Sequence, residues 1–124
     1  MNTRDQLRAQ GAFVRVTKIA GGQDSKLRDD YNSLCRKLPS LLQQCGLCQT
    51  VAFLQAKGPK GAHSRVLADL AEVVLDSTQN ADTTLAQKAR SAELREYQWL
   101  TRNTLQCSNW FKRYAEALLG EPAE

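Results

Sequence analysis

Histidine is almost missing from this chain: His63 stands alone, which removes most acid–base catalytic plans, since imidazole is the usual proton carrier near neutrality. Aromatic side chains are scarce as well, with two Trp, three Tyr and three Phe. A core must therefore be built from Leu, Val and Ala, which favours helices over sheets. No apolar run approaches the roughly 20 residues that span a bilayer. The polar opening MNTRDQLRAQ has no signal-peptide hydrophobic region, so the expectation is a cytoplasmic protein that makes no membrane contact. A period-2 strand pattern, an internal repeat, a low-complexity tract and a glycine-rich phosphate loop are all lacking, and no Ser or Cys has a base at recognisable spacing. An enzyme is the poorer reading.

What the chain does have is helical periodicity. It holds 124 residues with a net charge of +4, a mild basic excess that suits polyanions without requiring them. Ala9, Ala12, Phe13, Val16 and Ala20 fall on one arc, predicting a first helix over about residues 3–20, capped by Thr3 or Asn2 and ended by Gly21 and Gly22. Asp24 caps the next, whose stripe is Leu27, Tyr31, Leu34, Leu38 and Leu41. Pro39 is expected to divide that stretch into helices of about 25–37 and 39–45, with Gly46 stopping the second. Leu47, Val51 and Leu54 share a face while Ala52, Phe53 and Ala56 lie elsewhere, so about 47–57 reads as a helix buried on more than one side. The tetrad Gly58, Pro59, Lys60 and Gly61 breaks it.

From about Ser64 to Asp76 an inner face of Val66, Leu70, Val73 and Val74 opposes an outer one of Asp69, Glu72 and Asp76. Ser77 to Thr84 reads as a loop. The last segment, about 84–119, carries Leu85, Ala89, Ala92, Trp99, Leu100, Cys107, Trp110, Phe111, Tyr114 and Leu118 on one arc, interrupted by Glu96 and Asn103. An unpaired carboxylate in a buried seam is costly, which predicts a bend near 90–96. The fold class is all-α: one bundle of five or six helices formed by residues 1–119, with a frayed tail at 120–124.

Cys45, Gly46, Leu47 and Cys48 form a CxxC, the spacing of a thiol pair or of half a zinc site. The βαβ setting of a redox CxxC is absent, and Cys35 and Cys107 are scattered singles beside apolar stripes, so the four read as free thiols and no metal or cofactor is expected. Asp29 and Asp30 point about 100° apart and do not converge. His63 follows the breaker as a solvated residue.

The basic residues are more ordered. Arg4, Arg8, Arg15 and Lys18 lie within an arc of about 80° on the first helix, in a row about 21 Å long, with Gly11 on the same line. Such a row can follow a phosphate backbone, and the glycine would let a strand or partner approach closely. A second row, Lys88, Arg95 and Arg102, recurs every seven residues, and Arg113 returns to nearly the same angle. Leu7 and Val14 lie off the buried arc, one heptad apart, and suggest a subunit interface.

These residues bring a resemblance into view. The opening Asp5, Gln6, Leu7, Arg8, Ala9, the block LPSLLQQCGLCQTVAFLQAKG from Leu38 to Gly58 and the closing NWFKRYAEALL from Asn109 to Leu119 resemble the small helical subunit of the type III-B CRISPR effector, the RAMP-module or Cmr complex. Within the block the pattern is carried by Pro39, Gly46, Leu47, Ala52, Phe53, Leu54, Lys57 and Gly58. Tyr97 and the set Trp110, Lys112, Arg113 and Tyr114 also resemble family positions, whereas Cys45 and Cys48 do not. The resemblance implies a non-catalytic subunit stacked in several copies, supporting a guide RNA and target RNA duplex beside backbone RAMP subunits and a large subunit. The RNA contacts expected are Arg4, Arg8, Arg15, Lys18, Lys57, Lys112 and Arg113. The alternatives are a small zinc or thiol-switch protein and a purely structural helical adaptor.

Overall fold

The computed structural model describes residues 3–121. Five helices follow one another: α1 (Arg4–Ala20), α2 (Ser25–Gln55), α3 (Ala62–Leu75), α4 (Ala81–Ser91) and α5 (Leu94–Leu118), with no strand among the described residues. The all-α class expected from periodicity is observed.

The first two helix starts follow their local chemistry. Thr3 accepts the Gln6 N–H while the Gln6 side chain accepts the Thr3 N–H, a reciprocal capping box that satisfies two otherwise unpaired donors. Asn2, the other candidate cap, lies outside the described residues. Asp24 caps α2 by accepting the Leu27 N–H.

Helix α2 differs from the expectation at Pro39. The helix runs through that residue, which is buried, and breaks only at Gly46, the expected stop, where φ is 83° and ψ 170°. Proline removes one N–H and leaves the carbonyl one turn back without its partner. Leu38 and Leu42, both buried, hold the helix on the core across that defect. Gly46 is a true interruption, in the left-handed range of φ that disfavours a side chain. Two contacts mend it: Tyr97 of α5 accepts the Cys48 N–H through its hydroxyl at 3.2 Å, and Thr50 donates its hydroxyl to the Leu41 carbonyl at 3.1 Å. The arm beyond the break buries Leu47, Thr50, Val51 and Leu54 on one side only. Ala52, Phe53 and Ala56 are exposed, so the expected burial on more than one side is corrected.

Helix α3, like α2 and α5, touches all four other helices. That position corrects the reading of Asp69 as an outer residue, because α3 is enclosed around more than half its circumference and Asp69 is buried at the edge of that arc. Tyr31 donates its hydroxyl to Asp69 at 2.7 Å, and Arg65 approaches the same carboxylate at 3.4 Å. Burial nevertheless raises the Asp69 pKa above its ordinary value, against the lowering influence of Tyr31 and Arg65.

The loop expected at 77–84 is shorter, since α4 starts at Ala81. The predicted bend is present as a clean break: Ala92 and Glu93 take extended backbone angles between α4 and α5. Gly120, placed in the frayed tail by the sequence, is tied down, its carbonyl accepting from Asn32 at 3.1 Å and from Arg36. Pro122 to Glu124 lie outside the described residues. Among the described residues no helix is long and apolar enough to cross a membrane.

Candidate nucleic-acid and subunit interface

The basic row of α1 sits beside that helix's buried arc of Ala12, Val16 and Ile19, and its two middle members are drawn into the protein. Arg8, with a side chain only 12% exposed, donates from Nε to Asn103 Oδ1 at 2.7 Å and lies 3.7 Å from Asp5. Asn103 in turn donates to the Val74 carbonyl at 3.2 Å. The inward-facing Asn103 that interrupted the last apolar arc is thereby satisfied on both sides. Arg15, 19% exposed, forms an ion pair with Glu72 at 3.0 Å and donates to the Gly11 carbonyl at 3.1 Å.

Gly11 gives no opening to an outside strand. A Cβ there would lie 3.0 and 3.1 Å from the two Val73 methyls, so the close approach that glycine permits is made by α3 of the same chain. This corrects the expectation of a partner at that point.

The ends of the row differ from its middle. Arg4 is exposed, its guanidinium 5.9 Å from the centre of the Trp99 ring, a cation–π distance. Lys18 is exposed and has no ion pair among the described residues. Arg4, Arg8 and Arg15 line one groove of about 400 Å³ between α1, α3 and α5, together with Leu7 and Trp99. Lys18, Lys57, Lys112, Arg113 and Val14 do not line it. Leu7 is 57% exposed, and Val14 is exposed too, leaving apolar surface on α1 that no described residue of this chain covers.

Lys57 is exposed just beyond α2. Partial burial lowers the pKa of His63, and the Lys57 charge lowers it further. Phe53 meets the His63 ring edge-on at 5.4 Å. Lys112 is half-buried and Arg113 exposed, on neighbouring sides of α5. Beside them the α1–α5 seam is closed by Trp110 stacked on Tyr114 at 5.7 Å, Phe13 edge-on to Tyr114 at 5.4 Å, and the Trp110 indole donating to Asp5 at 3.0 Å. The aromatic members of the closing motif thus serve the fold.

Two further cations, Arg95 and Arg102, are exposed on the outer face of α5. They belong to the second row, whose member Lys88 lies on α4, across the break. Their seven-residue spacing was the signal available for them in the sequence.

Cys35 and Cys107 are buried free thiols. Burial raises the pKa of both, that of Cys107 to about 12 with nearby Arg8 opposing, which keeps them protonated and unreactive. Cys45 is exposed and Cys48 half-buried. No group of three or more His, Cys, Asp or Glu gathers as a metal site among the described residues.

Comparison with known proteins agrees with this architecture. A Cmr subunit of a CRISPR system, Cmr5 of Thermus thermophilus, is 41% identical over 121 residues, spanning 98% of this chain and 100% of the relative. The X-ray crystal structure of a CRISPR-associated Cmr5 family protein from the same organism superposes with a TM-score of 0.84 at 42% identity, covering 95% of this chain and 98% of that one. Residues 4–118 match the family described as CRISPR-associated protein (Cas_Cmr5), and the chain therefore belongs to the Cmr5 family.

Proposed function

We propose that this chain is the small subunit of a type III-B Cmr effector, a cytoplasmic RNA-guided antiviral complex, and that it makes and breaks no bond itself. It stacks in several copies and supports the guide RNA and target RNA duplex beside the backbone RAMP subunits and the large subunit. The observation that carries this reading is the end-to-end match to a Cmr subunit, joined to a surface that presents cations without ion pairs among the described residues and uncovered apolar side chains.

The cations best placed for phosphates are Arg4, Lys18, Lys57, Lys112 and Arg113, which have no carboxylate ion pair among the described residues. Arg8 and Arg15 can contribute field to a bound backbone only from within their internal pairs. Leu7 and Val14 supply the apolar contact to a neighbouring subunit. A chain with a charge of +4 binds RNA weakly alone, and alignment of several copies multiplies that affinity.

The test is reconstitution of the effector with this chain, followed by ultraviolet crosslinking. Co-assembly with a short processed RNA and crosslinks to this subunit are expected. Assembly with partner subunits in the complete absence of RNA crosslinks to it would favour the structural adaptor instead.

A further inference from the structure

The outward face of α5 carries Arg95, Arg102 and Arg113. Intervals of seven and eleven residues are close to two and three whole helical turns. All three therefore project along one line, about 27 Å long at 1.5 Å per residue. All are exposed, and none has an ion pair among the described residues. No carboxylate occurs between Glu96 and Glu116. The exposed side chains between the arginines within about 60° of this line are the amides Gln98, Gln106 and Asn109 and the indole of Trp99, which also lies under the Arg4 guanidinium.

We infer that this ridge is the principal RNA-backbone contact of the subunit, an assignment that rests on the proposed function and moves its main contact from α1 to α5. The composition favours a phosphodiester over a protein partner. A protein interface needs an apolar centre from which water is excluded, and this face offers one large exposed apolar side chain, Trp99 at its edge, with no apolar cluster along the arginine line. A polyanion asks only for unpaired cations in line and hydrogen-bond donors between them, without base recognition.

The experiment uses the full chain with oligouridine, measuring affinity over a salt series, and crosslinking in the assembled effector. The variant is R95Q/R102Q/R113Q, with the charge-preserving R95K/R102K/R113K beside it; circular dichroism checks that both fold. The glutamine variant should weaken binding at least about tenfold at low salt and reduce the slope of log affinity against log salt by about two, while the lysine variant keeps the slope. Binding by the parent chain with an unchanged affinity and slope in the glutamine variant would overturn the ridge and leave the RNA-support reading standing. Loss of effector assembly with RNA binding intact would assign the ridge to an acidic protein surface and overturn it too. Absence of binding and crosslinks in the parent chain would sink both readings.

Discussion

Helices α1 and α5 each carry a row of basic residues at helical spacing, yet the two rows meet opposite fates. On α1, Arg8 and Arg15 flank the buried arc, so folding sets them against Asn103 and Glu72. On α5, Arg95, Arg102 and Arg113 lie on the far side from Leu100, Cys107 and Phe111, and no described residue pairs with them. The difference is one of angle from the seam. An arginine at the edge of a packed face lays its aliphatic stem on the core and finds a partner; one opposite that face keeps its charge for something outside the molecule.

Substitutions can break that contrast. The largest effect is expected for Asn103→Ala, which strips Arg8 of its acceptor and the Val74 carbonyl of its donor. Leaving such groups buried and unpaired costs about 2–3 kcal/mol, read as a lower urea midpoint at unchanged m-value. Arg15→Gln should cost about 1 kcal/mol by removing a partly buried ion pair with Glu72, and a double-mutant cycle with Glu72→Gln would isolate the coupling.

Asp69 sharpens the point by its pH dependence. Its folded-state pKa is raised, chiefly by burial, so the native chain holds that proton more tightly than the unfolded chain does. Its contribution to stability is therefore complete below the ordinary carboxylate pKa and is lost as pH rises through the folded value. Asp69→Asn should flatten that part of the profile, measured as urea midpoints across mildly acidic buffers; a profile identical to the parent's would refute the assignment. The smallest effect belongs to Arg102→Ala, expected within about 0.5 kcal/mol of the parent. A larger loss would mean that the α5 row, like the α1 row, is part of the fold.

Much of the architecture was legible from local rules. The Thr3 and Asp24 caps, the breaks at Gly21 and Gly58, and the break expected near 90–96 all act within a few residues, where propensity and pattern speak directly. Pro39 and Asp69 misled for one shared reason: local cost was overridden by long-range packing. Pro39 stays helical because its neighbours Leu38 and Leu42 are buried, and Asp69 goes inside because α3 is surrounded and Tyr31 arrives from α2. The candidate site was legible in kind but not in membership. Periodicity found both basic rows, and only packing showed that Gly11 is filled by Val73 and that the middle of the α1 row is occupied.

The sequence by itself determined the helical class, the starts of α1 and α2 and the family, because capping, breaking and apolar periodicity are written in neighbouring residues. Tertiary structure alone decided which cations remain free. A cation is available to a ligand only if no group distant in the chain arrives to engage it, and those arrivals, the Asn103 amide at Arg8 and the Glu72 carboxylate at Arg15, are fixed by how the helices pack.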